Sequence, residues 1–328
     1  MYKRQVVDAQ KLSKEYKTTV GNGYGVVDAR YKNYFYTGDN SAIAVKTTKK
    51  GVVVQKLNTI KLTETSKKVY LDFPKKFQFE KLIQFDDVIY YFYSIKNKKT
   101  KNFSLYQRAI DPKTGKMSAS KELITTDRKI ISAKSFASLF NAGIARLPGR
   151  VANRFLFKKS YDKSKVLISY ELYPKVRSNK KNKSEYGVFV YDNKLVKVNG
   201  KEVTMPYVEA EMKVYGVSVK SDGSVYFFNK TKEKNELLKL DTKGAFTVIP
   251  LDLDGKDAIR NLHIIENEVG NLVLLGYYAN GIEFKMDWTG ASRLSYNTNG
   301  ITYAEINDAG KVINKSKVEF PLDVIQQY

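Results

Sequence analysis

The clearest hydrophobic pattern in the chain is a run of short alternating segments at residues 214–244, VYGVSVKSDGSVYFFNKTKEKNELLKLDTKG. Alternation with period two at residues 217–219 predicts a strand, and residues 221–223 (SDG) supply the chemistry of a tight turn. A β-branched and aromatic segment follows at 225–228, and alternation returns at 237–240. Three short strands in a row cannot bury their apolar face alone, so the unit must stack on similar units.

Weaker copies of this unit occur on both sides of it. Each copy has a weak alternating strand, a turn, a strong apolar strand, a loop, a second alternating strand, and a turn built on Asp or Asn. Such repetition predicts propeller blades with loop insertions better than a sandwich. The strong strands are predicted at residues 88–94, 166–173, 225–228 and 272–278, and the turn anchors are Asp111, Asp192, Asp241 and Asn307.

The sequence therefore predicts an all-β fold, a single β-propeller domain over residues 1–328 built from four-stranded antiparallel blades. The strong strands should occupy equivalent positions in successive sheets. Five units without a recognisable closing strand predict an open or strained ring of poor solubility, with exposed edges near residues 29–36 and 312–320, and we expect the chain to be a fragment. The five units are expected at residues 24–66, 77–126, 130–207, 208–252 and 257–320.

Two short motifs resemble those of a known family. Residues 161–169 (YDKSKVLIS) and 221–227 (SDGSVYF) resemble the inner-hairpin signature of WD40-like, PD40-type repeats in bacterial periplasmic propellers. The closing segment, residues 270–320, is similar to envelope-associated propeller proteins of gliding-type bacteria. The resemblance covers most of residues 77–328, although the WD dipeptide itself is absent. It implies a propeller fold and a periplasmic or cell-envelope location, and it carries no catalytic residues across.

The composition excludes several kinds of site. The chain has no cysteine, which removes disulfides, thiolate metal sites and cysteine nucleophiles. The single histidine, His263, rules out any site that needs two imidazoles, and its place in an alternating segment predicts an exposed or hydrogen-bonded strand residue. No apolar stretch approaches the 18 residues of a spanning helix. No signal peptide is visible, and we expect the natural N-terminus to be missing.

Acidic residues give no strong catalytic signal. Residues 252–257 (DLDGKD) resemble a calcium loop, but the glycine is misplaced and the bidentate glutamate is missing, which favours an exposed turn between blades. Asp86 with Asp87, and Glu266 with Glu268, are candidate carboxylate pairs for acid–base chemistry. Their positions in predicted turns favour solvated turn residues instead. The sequence thus predicts no catalytic residue, no metal and no cofactor.

Basic residues cluster in the loops that the predicted propeller would bring to one face. The chain has 57 Lys and Arg against 34 Asp and Glu, a net charge of +23, which favours anionic partners. In a propeller, the loops joining the second and third strands of every blade emerge on one face. Lysine clusters in these loops are either ordinary solvated charge or a surface for an anionic polymer. The residues concerned are Lys96, Lys98, Lys99, Lys101, Lys175, Arg177, Lys180, Lys181, Lys183, Lys230, Lys232 and Lys234.

One further candidate is aromatic. Trp288 lies in a predicted loop at residues 279–294, where it is either a recognition anchor or a lid packed over a blade edge. We expect a non-enzymatic recognition or scaffolding propeller at the bacterial envelope, with a protein or glycan partner. The alternatives are a polysaccharide-active propeller enzyme, and binding of an anionic polymer through the lysine-rich face.

Overall fold

The computed structural model describes residues 27–97, 100, 102–131, 154–176, 178–231, 234–251, 253, 258–279, 283–286, 292–295 and 298–321. The chain divides into two compact units, of which the first is Met1–Ile95 with Leu105–Leu123 and the second is Lys96–Ser104 with Ile124–Tyr328. Strands account for all the regular structure of the described residues. The prediction of one domain over the whole chain stays a prediction.

Among the described residues, five antiparallel sheets of at least four strands follow one another along the chain. In each sheet, four strands lie side by side in the order in which they occur in the sequence. Successive four-stranded meanders of this kind are the blades of a β-propeller. The predicted fold class, an all-β propeller with about five blades, is confirmed.

The first two sheets bury a shared apolar core inside the first unit. Val45 and Val54 of the first sheet pack with Tyr91 and Ile89 of the second, and the Tyr91 hydroxyl lies 2.9 Å from Thr47 Oγ1. The strands are β1 (Tyr31–Gly38), β2 (Ser41–Thr47), β3 (Val52–Asn58), β4 (Thr63–Tyr70), β5 (Gln78–Phe85), β6 (Val88–Lys96), β7 (Phe103–Ile110) and β8 (Lys121–Thr126).

The third and fourth sheets pack face to face in the second unit. Val188 and Val203 of the third sheet contact the cluster that holds Val217, Phe227 and Leu238 of the fourth. The strands are β9 (Ile130–Ile131), β10 (Leu156–Lys159), β11 (Lys165–Leu172), β12 (Glu185–Asp192), β13 (Lys197–Thr204), β14 (Met212–Val219), β15 (Val225–Thr231), β16 (Asn235–Leu240) and β17 (Phe246–Leu251).

The fifth sheet packs on the opposite face of the fourth. Tyr226 and Phe228 on one side share a core with Leu262, Ile264 and Leu274 on the other. Its strands are β18 (Ala258–Glu266), β19 (Leu272–Ala279), β22 (Gly300–Ile306) and β23 (Val312–Glu319), and a separate two-stranded hairpin, β20 (Glu283–Met286) and β21 (Ser292–Ser295), is inserted between β19 and β22.

The four strong apolar segments are equivalent, as predicted. They form β6, β11, β15 and β19, and each is the second strand of its own sheet. In β15, Val225, Tyr226, Phe227 and Phe228 are all buried, because alternate side chains enter the cores on the two faces of the sheet. A strand buried on both faces has no polar side to show, so its sequence reads as a continuous apolar run.

Outer and inner strands were harder to predict. The charged segment β4 completes the four-stranded first sheet, although it has no strong apolar alternation. In the third sheet, β9 pairs with residues 171–172 of β11 and β10 pairs with residues 166–169, so two short pieces share the first-strand position. Outer strands such as β23, which is almost wholly exposed, need no apolar alternation, and the sequence pattern is weak there.

Gly187 offers a test of packing inside the third sheet. It lies opposite Tyr170 in the β11–β12 register, and a Cβ at this position would overlap the Tyr170 ring. We expect Gly187→Ala to lower the free energy of unfolding by about 1–3 kcal/mol, because the buried ring has to move. Gly216→Ala is the matched control, since its Cβ would meet its nearest atom, Leu262 O, at an ordinary 3.5 Å. Urea unfolding that shows equal losses for the two variants would contradict this packing.

Candidate functional site

Lys96 is the last residue of β6 and Lys230 lies in β15, whereas the other described lysines of the predicted set lie in connections that follow second strands. Residues 97–102 join β6 to β7, residues 173–184 join β11 to β12, and residues 232–234 join β15 to β16. These are the second-to-third-strand connections of the second, third and fourth sheets. Lys96, Lys175, Lys180, Lys181, Lys183, Lys230 and Lys234 are described, whereas Lys98, Lys99, Lys101, Arg177, Lys232 and Trp288 lie outside the described residues.

The longest of these connections, residues 173–184, has a defined structure, and we call it the third-sheet loop. Asn182 is buried and ties the loop to the connection between β13 and β14. The side-chain amide of Asn182 donates to Glu209 Oε1 at 2.5 Å, and the backbone oxygen of Asn182 accepts the backbone N–H of Glu209 at 2.9 Å. Ser184 Oγ donates to the same carboxylate at 3.2 Å, and Ala210 N donates to Asn179 O at 3.0 Å. The loop is therefore clamped by Glu209 and its neighbour.

A tight turn at the end of the third-sheet loop presents two lysines. The backbone N–H groups of Lys181 and Asn182 both donate to Ser178 O, at 3.0 and 2.9 Å. Lys180 and Lys181 at this turn are exposed, and neither forms an ion pair within the part of the chain that the structure describes. Lys183 differs, because its ammonium group donates to Pro206 O at 2.7 Å.

Two other lysines of the predicted set form ion pairs with neighbouring glutamates. Lys175 Nζ lies 2.9 Å from Glu185 Oε1, and Arg128 Nη2 lies 2.6 Å from Glu185 Oε2. The hydrogen bond from Arg128 is the main reason that the pKa of Glu185 lies below its ordinary value. Lys234 pairs with the buried Glu236 at 2.7 Å. The sequence alone does not separate Lys175 from Lys180 and Lys181, because its partner Glu185 lies ten residues away at the far end of the loop.

The third-sheet loop also exposes apolar surface beside its lysines. Tyr173 is 52% exposed and Val176 is 45% exposed. The ammonium group of Lys129 lies 4.0 Å from the centre of the Tyr173 ring, a cation–π contact that occupies the ring. Lys96 makes a similar contact with Phe103, at 5.3 Å. A ligand on the third-sheet loop would meet ammonium groups together with a small apolar patch.

One candidate carboxylate differs from its prediction. Glu266 was expected to be a solvated turn residue, but it is the last residue of β18 and is buried. It accepts hydrogen bonds from Ser221 N at 2.9 Å and Ser221 Oγ at 2.7 Å, which links the first hairpin turn of the fourth sheet to the fifth sheet. Glu268 is exposed in the next turn, and Asp86 and Asp87 form the β5–β6 turn as predicted. Glu266 thus holds two sheets together.

The remaining sequence candidates give no assembled site. His263 is exposed between the buried Leu262 and Ile264, as the alternation predicted. Among the described residues no cluster of acidic side chains and histidine could hold a metal ion. The suspected calcium loop lies outside the described residues except at Leu253. The described residues include no helix long and apolar enough to cross a membrane.

Comparison with known proteins gives similarities of structure only. No protein-family model matches the chain, and no curated protein matches it in sequence. The β-propeller domain of Nup133 from Vanderwaltozyma polyspora is 11% identical, with 91% of this chain and 76% of that chain covered and a TM-score of 0.40. The Dos1 propeller is 11% identical, with 85% and 67% covered and a TM-score of 0.35.

An oxygenase shows structural similarity to this chain with about the same identity and TM-score as those propellers. A mutant of the apocarotenoid oxygenase of Synechocystis is 9% identical, with 88% of this chain and 62% of that chain covered and a TM-score of 0.37. A chimera of this oxygenase with RPE65 is covered to 63%. This chain therefore spans less than two thirds of the length of both proteins. With TM-scores below 0.5, none of these similarities bears on function, and the fold assignment rests on the sheets themselves.

Removal of the Asn182 clamp should loosen the third-sheet loop. We expect Asn182→Ala to speed tryptic cleavage after Lys180 and Lys181 roughly 10-fold, because the loss of buried hydrogen bonds favours local opening. Cleavage is followed by mass spectrometry on the intact protein. Asn314→Ala, in the exposed strand β23, is the matched control and should leave the rate unchanged. Equal rates in all three proteins would show that Asn182 does not hold the loop.

The ion pairs of Glu185 predict a pH dependence of stability. Because its pKa is lowered in the folded protein, Glu185 contributes stability above its ordinary pKa of 4.5, and this contribution is lost as the pH falls through the folded value. Glu185→Gln should therefore be less stable at neutral pH and should lose less stability on acidification to about pH 3. Urea unfolding at several pH values measures both effects. A variant with the unaltered pH slope would contradict this assignment.

Proposed function

We propose that this chain is a non-enzymatic recognition protein that binds an acidic glycan through the third-sheet loop. The observation that carries the proposal is the pair of exposed lysines, Lys180 and Lys181, on a turn that Asn182 fixes in place. A clamped loop loses less conformational entropy on binding than a free one. Lys180 and Lys181 form no ion pair with any residue that the structure describes, so binding a polyanion need not break such a pair.

The chemistry of the loop favours an acidic glycan over nucleic acid. Its described cations are lysines, which act as point charges and attract carboxylate, sulfate and phosphate groups alike, so charge alone does not choose between the two polymers. Single-stranded nucleic acid binding uses aromatic platforms on which successive bases stack. Tyr173 is the exposed aromatic residue of this loop, and Lys129 already lies over its ring. Carboxylated sugars meet the lysines without needing that ring.

We further propose that the protein acts in the periplasm or at the bacterial envelope. The support is the resemblance of residues 161–169 and 221–227 to propeller repeats of periplasmic proteins. Fractionation of cells that express the protein from its natural gene tests the location, and an exclusively cytoplasmic protein would contradict it.

The proposal predicts a specific loss of binding. Alginate, a polymer of uronic acids, should bind the protein with an affinity that falls steeply as salt rises. Lys180→Gln with Lys181→Gln should weaken alginate binding by about tenfold at low salt, because two unscreened contacts are lost. The additional change Lys183→Gln should add little, since that ammonium group already binds Pro206 O. Binding is measured by biolayer interferometry at several salt concentrations.

A control variant distinguishes binding by the third-sheet loop from a general effect of the protein's net charge. Lys194→Gln with Lys311→Gln removes the same charge at two exposed positions in hairpin turns, and this variant should bind alginate like the parent. Equal losses in the two double variants would show that only net charge matters. Tighter binding of single-stranded RNA than of alginate at the same salt would overturn the glycan assignment in favour of nucleic acid.

A further inference from the structure

A groove in the second unit has binding features of its own. It has a volume of about 360 Å³ and lies between β13 of the third sheet and the β16–β17 turn of the fourth. Pockets for small ligands in proteins range from about 300 to 1,000 Å³, so the groove is large enough for one sugar residue. Its lining includes Val198, Asn199, Lys201, Thr242, Lys243 and Gly244.

Two ammonium groups flank this groove. The side chain of Lys201 crosses over Gly244, where a Cβ atom would overlap it, and Gly244 itself has φ of +88°. Lys201 Nζ lies 3.4 Å from the backbone oxygen of Lys243. The side chain of Lys243 is exposed and forms no ion pair within the described residues. The glycine thus gives the lysine a path across the turn that a larger residue would block.

The carboxylate in the groove, that of Asp241, is bound mainly to its own turn. Asp241 Oδ1 accepts the backbone N–H of Ala245 at 2.8 Å and caps the β16–β17 turn. This bond and those from the N–H groups of Gly244 and Lys243 hold the pKa of Asp241 below its ordinary value. The carboxylate therefore stays ionised and bound to its own turn. Lys201 and Lys243 are both exposed and form no ion pair within the described residues, although the charge of Lys243 also helps to lower the pKa of Asp241.

The other lining groups suit a hydroxyl-rich ligand. Asn199 Nδ2 donates to Gly223 O at 3.4 Å, which leaves the side-chain oxygen of Asn199 as an acceptor. The hydroxyl of Thr242 is a second polar group, and Val198, 45% exposed, provides an apolar wall. A small set of polar groups around an apolar surface is typical of sites for small polar ligands.

We propose that this groove is a second binding site, which takes a single acidic sugar residue. The carboxylate would lie between the ammonium groups of Lys201 and Lys243, and the sugar hydroxyls would meet Thr242 and Asn199. The inference rests on the proposed function for its class of ligand. Its residues are distinct from those of the third-sheet loop, so the two sites fail independently.

A titration of the whole chain with sodium glucuronate, followed by NMR of the backbone amides, tests the site. We expect saturable shifts at residues 199–201 and 242–244. Lys201→Gln and Lys243→Gln should each weaken binding by about tenfold, because each removes a charge-assisted hydrogen bond. Lys194→Gln is the matched control and should not change the titration. Melting temperatures like that of the parent establish that the variants are folded.

The other probes decide what the groove recognises. Glucose should bind at least tenfold more weakly than glucuronate, and sodium sulfate should bind more weakly as well. Equal binding of glucose would overturn the role of the anion, and equal binding of sulfate would overturn the role of the sugar. Lys180→Gln with Lys181→Gln should leave the glucuronate shifts intact. If the groove shows no shifts while alginate still binds the loop, this inference is wrong and the proposed function stands.

Discussion

Burial of apolar side chains between successive sheets is the interaction on which the second unit depends. The fourth sheet shows it best, since its second strand sends Phe227 into the core shared with the third sheet and Phe228 into the core shared with the fifth. Fully burying an aromatic side chain contributes about 1.5–3 kcal/mol, and each sheet supplies several. Loops then attach to a stack of sheets whose order is already fixed, which lets residues far apart in sequence make defined contacts.

Polar contacts add order at the turns of these sheets. Ser221 donates to Glu266 across neighbouring sheets, and Lys220 pairs with Asp308. Partial desolvation raises the pKa of Asp162. Hydrogen bonds from Ser160, Ser164 and Ser221 together lower the pKa by more than that, so its net value is about 2. Apolar packing has no direction, whereas these bonds fix how each turn meets the next. The Asn182–Glu209 clamp does the same for the third-sheet loop.

Much of this architecture follows from local pattern. The continuous apolar segments identified the second strands, and turn residues such as Asp222 and Gly223 marked the hairpins, because both signals depend on nearby sequence only. The ion pair of Lys175 with Glu185 and the hydrogen bonds from Ser221 to Glu266 depend instead on residues that folding brings together. No local pattern distinguishes Lys180 from Lys183, although Lys183 binds Pro206 O and Lys180 has no ion-pair partner among the described residues. The groove beside Lys201 was missed for the same reason.

The central claim is that the third-sheet loop is the binding surface. Hydrogen–deuterium exchange of the whole chain with and without a defined uronic acid oligosaccharide tests it most directly. Ligand contact should slow exchange in residues 178–183 and in the clamping segment 205–211, and should leave β23 unchanged. Protection confined to other loops, or no protection at a concentration that saturates binding, would contradict the claim.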